Sequence, residues 1–169
     1  MLKYTIIQTP LGKMQAVASE DTLYLLEFID CEPLTITFAF LEKQLDTKVS
    51  KGSNCTLELV RDELSLYFSG KSKILAVPFK LVGTPFQKLA WNALLKVPYG
   101  AVQSYAQQAK AIKKPTACRA VANANGANLL SILVPCHRII NTNGKLCGYG
   151  GGIERKRELL RLEGFYKNG

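Results

Sequence analysis

The hydrophobic pattern of this chain changes period once, near residue 80, and that change limits the folds open to it. Before it, Tyr4 to Thr9, Met14 to Ser19 and Thr22 to Ile29 read as three short strands. The turn residues Pro10-Leu11-Gly12 and Glu20-Asp21 separate them. Pro33 to Leu45 reads as a helix after a break. Leu57, Val60, Leu64 and Phe68 share one helical face, and Gly70 is placed to end it. Residues 71–82 read as a connector, extended around Pro78. After that the spacing is helical. Thr84 is placed to N-cap a helix whose first turn suits Pro85, and whose apolar face is Phe86, Leu89, Ala90, Ala93, Leu94 and Val97. Pro98-Tyr99-Gly100 ends it. Ser104 is placed to cap a second helix over 105–112. Lys113-Lys114-Pro115 breaks the chain, and Thr116 is placed to cap a third helix running to about Ala124. Ile153 to Glu163 forms the last helix, ended by Gly164.

The expected fold is therefore α+β. A small N-terminal α/β domain with a short antiparallel sheet covers 1–80, and a mainly helical domain with a helix-turn-helix covers 81–169. A length of 169 residues suits one domain or two small ones. At 47% hydrophobic and 21% charged, the composition is that of a globular protein rather than a disordered one. No apolar run approaches the ~20 residues of a membrane span. The N-terminus carries no basic-then-apolar signal, so the expected compartment is the cytoplasm.

Charge is divided unevenly. Residues 1–79 hold 8 Lys/Arg and 10 Asp/Glu, whereas residues 80–169 hold 14 Lys/Arg and 3 Asp/Glu. Between Glu63 and Glu154 there is no acidic residue. Ordinary composition would place about ten acids in such a stretch. Their absence removes the groups that would repel a polyanion, which favours nucleic-acid contact over a merely solvated basic face. The third helix carries Arg119 among Ala120, Val121, Ala122 and Ala124. These residues fit a helix backbone lying close in a groove, and equally a tightly packed helix pair with one solvated Arg.

Five cysteines (Cys31, Cys55, Cys118, Cys136 and Cys147), odd in number and irregular in spacing, argue against a disulfide framework. With a single histidine and no Cys-x-x-Cys pair, a zinc site is not expected. Cys31, Cys55, Cys118 and Cys147 are read as small buried hydrophobes. Cys136 differs because His137, the only histidine, follows it. Apolar runs flank Pro135-Cys136-His137-Arg138 on both sides and hold the thiol inside the fold. Asn143-Gly144 signals a turn. Gly148-Tyr149-Gly150-Gly151-Gly152 reads either as a flexible loop or as a pocket wall around one aromatic.

Pro135-Cys136-His137-Arg138-Ile139-Ile140 resembles the active-site signature of the O6-alkylguanine-DNA alkyltransferases. Gly83-Thr84-Pro85-Phe86-Gln87 with Trp91, Pro98-Tyr99-Gly100, Ser104-Tyr105 and Cys118-Arg119-Ala120-Val121 extend the resemblance, as do Asn128, Tyr149-Gly150-Gly151-Gly152 and Leu162-Glu163-Gly164. It covers about residues 80–165; the N-terminal half is similar to the family only in outline. Ser131 and Gly150 depart from family members that carry Pro, and Ser or a larger residue, at those positions.

The resemblance implies a single-turnover DNA repair enzyme, a methylated-DNA–protein-cysteine methyltransferase. It would act without cofactor or metal, as a monomer on double-stranded DNA containing O6-alkylguanine, and less readily O4-alkylthymine. The same resemblance implies the residue roles. Cys136 accepts the alkyl group. His137 takes its proton through a water, and Glu163 orients the histidine. Tyr105 donates a hydrogen bond to the base, and Asn128 holds the hinge between the third helix and the cysteine segment. Arg119 fills the stack left by a flipped nucleotide, with Lys114, Ala120 and Thr142 beside it on the DNA face. Val134, Pro135, Tyr149, Gly150 and Gly151 line the pocket. Two other readings compete: a helix-turn-helix or damage-recognition module without transfer, and a cysteine hydrolase with a Cys/His dyad.

Overall fold

A computed structural model describes residues 1–30 and 34–165. The chain forms two compact units, the first Met1–Val82 and the second beginning at Gly83.

In the first unit, β1 (Leu2–Thr9), β2 (Gly12–Ala18) and β3 (Leu23–Phe28) form an antiparallel meander. The first turn is closed by the Thr9 hydroxyl, which donates to the Gly12 carbonyl at 2.6 Å. Two helices follow, α1 (Leu34–Leu45) and α2 (Cys55–Phe68). The N-cap of α2 is Asn54, whose side chain accepts the Leu57 N–H at 2.9 Å. Thr56, Leu57, Val60, Leu64 and Tyr67 are its buried residues. Gly70 follows the helix with φ +76°, a left-handed angle that glycine adopts without strain. A fourth strand, β4 (Val49–Lys51), was not expected and pairs with β1 in parallel, giving the order β3-β2-β1-β4. Three residues of which two are polar or charged carry no alternation to read; pairing with β1 is what makes them a strand.

The second unit opens on α3 (Pro85–Leu94). Its cap is reciprocal: Thr84 Oγ1 accepts the Gln87 N–H, and the Gln87 side chain accepts the Thr84 N–H. A Cβ on Gly83 would stand 2.6 Å from the Trp91 ring, so only glycine lets the chain enter α3 here. The same reciprocal box, between Ser104 and Gln107, starts α4 (Tyr105–Ala111). The third helix, α5 (Cys118–Gly126), departs from expectation. Its N-cap is Ala117, with no side-chain cap, and Thr116 lies outside it. A turn closed by the Ala117 N–H on the Lys114 carbonyl at 2.9 Å occupies the residues before the helix. Ala109, Ile112 and Val121 form the core of the helix pair, with Phe86, Ala93, Tyr105 and Cys118 packed against it.

Two short strands set the site. β5 (Gln103–Ser104) pairs in parallel with β6 (Ile139–Ile140), so the start of α4 lies beside the end of the Cys136 segment. The last helix is α6 (Ile153–Leu162), which packs on the turn at Cys136–Arg138 and ends at Glu163. No helix among the described residues is long and apolar enough to cross a membrane.

The expected burial of the other cysteines is corrected in part. Cys55 is exposed and Cys118 and Cys147 are half-buried; Cys31 lies outside the described residues. Cys55 sits in the first turn of α2, where a helix end meets solvent; Cys147 borders a cavity, and Cys118 lies between that cavity and the core of the helix pair.

Candidate active site

Cys136 is carried by a strained stretch of backbone. Ile132 has φ +72°, an angle costly for a β-branched residue, in a tight turn closed by the Leu133 N–H on the Ser131 carbonyl at 2.8 Å. A second three-residue turn at Pro135 (φ −83°, ψ 66°) is closed by the Cys136 N–H on the Val134 carbonyl at 2.8 Å. Cys136, His137 and Arg138 then form a single 3-10 turn, every member buried. The apolar run before Cys136 is therefore a chain of turns, not a strand, and its strain is held by the packing around it.

Asn128, just beyond α5, fixes this segment. Its Nδ2 donates to the Val134 carbonyl at 2.8 Å and to Cys136 Sγ at 3.3 Å, while its Oδ1 accepts the Leu130 N–H at 2.9 Å. Burial pushes the Cys136 thiol up from its ordinary value, and the Asn128 N–H and the charge of Lys156 pull it back. The thiol is therefore protonated near neutrality and needs a base, while the anion it would form is partly provided for.

Behind the cysteine, His137 Nε2 lies 2.8 Å from Glu163 Oε1, both side chains fully buried. Arg138 completes the group. Its Nε donates to Glu163 Oε2 at 2.9 Å, its Nη2 to Oε1 at 2.9 Å, and its Nη1 to the Val97 carbonyl at 2.7 Å. Burial alone would raise the Glu163 pKa, but the bonds and charges of His137 and Arg138 outweigh it and hold the carboxyl at about 2. An ionised carboxylate only accepts, so Nε2 carries the proton and Nδ1 presents its lone pair. Burial depresses the His137 pKa against the pull of Glu163, which keeps the ring neutral at rest. Nδ1 has no hydrogen-bond partner among the described residues.

A cavity of about 700 Å³ opens on the other side of the thiol. Cys136 shares its wall with Tyr105 from α4, Arg119 from α5, and Thr142, Cys147, Tyr149 and Gly150 from the loop before α6. Arg119 and Thr142 are exposed. Exposed Lys114 and Ala120 lie close by in the chain but outside the cavity wall. Of the other expected pocket residues, Val134 is fully buried and its carbonyl serves Asn128, and Pro135 forms the turn. Gly151 is buried, with its carbonyl accepting from Arg155 Nη1 at 3.2 Å. Burial and the neighbouring Cys147 and Cys136 push the Tyr105 phenol far above its ordinary value, so it stays a donor. No group of His, Cys, Asp or Glu among the described residues is arranged to hold a metal ion.

Three features escaped the sequence reading. Gln108 and Asn125, both buried, bond reciprocally through their amides at 2.9 and 2.8 Å and lock α4 to α5. Gln108 also donates to the Ala90 carbonyl at 3.1 Å, and Trp91 Nε1 to the Ala124 carbonyl at 2.8 Å, tying both helices to α3. Lys156 is fully buried, its Nζ donating to the Cys147 carbonyl at 3.0 Å and so holding the glycine loop. Its place on one helical face with Leu159, Leu160 and Glu163 was a readable signal.

The family model for the DNA binding domain of 6-O-methylguanine DNA methyltransferase matches residues 85–165 of this chain. The model for the ribonuclease-like domain of the same proteins matches residues 2–81. The chain belongs to this family. Among its members, the methylated-DNA–protein-cysteine methyltransferase of Mycobacterium tuberculosis is 53% identical over 102 residues, covering 60% of this chain and 62% of that protein. The Methanosarcina acetivorans protein of the same name is 36% identical over 165 residues, 95% of this chain and 97% of that one. The crystal structure of Mycobacterium tuberculosis OGT in complex with DNA superposes with a TM-score of 0.83 at 38% identity, over 95% of this chain and 92% of that one.

Proposed function

We propose that this protein repairs DNA by moving an alkyl group, foremost methyl, from the O6 of guanine (and less readily from the O4 of thymine) onto Cys136. The observation that carries the reading is the buried thiol, bonded by Asn128, open to a cavity and backed by a neutral histidine on an ionised carboxylate.

The target is a saturated carbon, and the step is an in-line displacement. His137 Nδ1 draws the thiol proton through a bridging water, and the Asn128 N–H steadies the sulfur anion. As the S–C bond forms, the C–O bond breaks and its electron pair goes to the base. The Tyr105 phenol donates to the base as that charge develops. Glu163 stabilises the imidazolium produced. The product is a thioether that nothing in the site can hydrolyse, so each molecule acts once and the reaction calls for no cofactor.

The O6 atom of a stacked guanine cannot reach a buried sulfur along the displacement line. The nucleotide is flipped out at a cost of a few kcal/mol. Arg119 enters the gap, with Lys114, Ala120 and Thr142 on the same face of the duplex. Tyr149 and Gly150 wall the pocket, while Val134 and Pro135 hold the Cys136 segment behind it and Gly151 anchors the loop. The protein works as a monomer in the cytoplasm.

Incubation with duplex DNA containing O6-methylguanine, followed by peptide mass spectrometry, tests this. One methyl on Cys136 and none on the other four cysteines is the expected result. Protein that binds the duplex but stays unmodified would make it a damage-recognition module instead, and turnover of an ester or amide would make it a hydrolase.

A further inference from the structure

The cavity holds a second thiol whose partner is the phenol that the proposed reaction uses. Cys147 and Tyr105 both line the wall shared with Cys136, and Cys147 Sγ donates to Tyr105 Oη at 3.4 Å. The phenol ring is fixed elsewhere: Tyr105 is the first residue of α4, set by the Ser104 cap, and it packs on the core of Ala109, Ile112 and Val121. That packing places the oxygen but leaves its proton two positions in the plane of the ring, one on each side of the C–O bond. The thiol resolves this choice by occupying one lone pair of the oxygen, which turns the O–H away from Cys147. The sulfur is itself held, because the buried Lys156 Nζ grips the Cys147 carbonyl at 3.0 Å.

The geometry points to Cys147 as a positioning residue for alkyl transfer, which orients the Tyr105 hydroxyl so that its proton faces the incoming base. This rests on the alkyl-transfer reading of the site. A thiol suits the task because its S–H is a weak donor. It biases the phenol without drawing charge from the oxygen, as a cationic donor would. Burial holds the phenol pKa well above its ordinary value, so the hydroxyl stays protonated throughout.

The test is a double-mutant cycle on Tyr105→Phe and Cys147→Ala, with Cys147→Ser as the conservative variant, read as the single-turnover rate of methyl transfer from an O6-methylguanine duplex. Duplex affinity and thermal melting are measured in parallel. In the Tyr105 background, Cys147→Ala lowers the transfer rate about three- to tenfold, the worth of one hydrogen bond, and leaves duplex affinity unchanged. Cys147→Ser, which keeps a donor, restores the rate to within about twofold. In the Tyr105→Phe background, Cys147→Ala costs nothing further, because there is no hydroxyl left to orient. An equal loss in both backgrounds, no loss in either, or a serine variant as slow as the alanine one overturns the assignment. If Cys147→Ala fails to fold, Cys147→Val, which also lacks a donor and is close to cysteine in size, takes its place in the cycle. If the unaltered protein transfers no methyl, the alkyl-transfer reading itself has failed. If it transfers normally and the cycle is additive, only the role of Cys147 has.

Discussion

Replacing Glu163 by Gln keeps the shape of the side chain but removes the negative charge that faces both His137 and Arg138. In the native site the carboxylate accepts three bonds, from His137 Nε2 at 2.8 Å and from Arg138 Nε and Nη2 at 2.9 Å each. A glutamine there has one acceptor oxygen, and its NH2 meets donors. Arg138 is 8% exposed, so its guanidinium would stay buried without a counter-charge. Removing one partner of a buried ion pair costs about 3–5 kcal/mol. Proton linkage gives the same scale. A carboxyl held at about 2 instead of 4.5 contributes roughly 3 kcal/mol. Because the folded-state pKa is depressed, this stabilisation is complete above about pH 4.5 and fades as pH falls towards about 2. The sole tryptophan, Trp91, is buried in the same unit and reports its unfolding in urea. The expected result is a loss of about 3 kcal/mol for Glu163→Gln near neutral pH, with a gap from the native protein that narrows steadily as the buffer is made more acid. A gap below about 1 kcal/mol near neutrality, or one that stays constant into acid, would refute the account of the pair as a charge-dependent lock.

Two further outcomes follow from the site. Asn128→Ala takes the N–H from the thiol, so the rate of Cys136 alkylation by iodoacetamide should rise at higher pH than in the native protein. An unmoved pH profile would separate Asn128 from the thiol's ionisation. Arg119→Ala should slow transfer from duplex DNA about tenfold or more, yet leave transfer from a free O6-modified base within about twofold; equal losses would argue against a stack-filling role.

Several elements could be read residue by residue because local rules decide them. The Thr84-Pro85 and Ser104 caps, the end of α2 at Gly70 and the last helix before Gly164 depend on side chains within a few positions of one another. The uncapped start of α5 was missed because a preceding turn, not a side chain, sets it. β4 was missed because its partner lies far away in sequence.

The sequence by itself determined the family, through a signature around Cys136 and His137 that no other stretch duplicates, and the basic, acid-free character of the half that bears it. Those are properties of residue identity and order. The resemblance already implied that Glu163 orients His137; only the tertiary structure decided that the same carboxylate also takes two bonds from Arg138, and that the amides of Gln108 and Asn125 close on each other. It also decided that Cys147 reaches the Tyr105 hydroxyl across 42 residues of chain. Each of these contacts joins elements whose approach is set by packing, and packing energy belongs to the assembled core rather than to any local stretch of sequence.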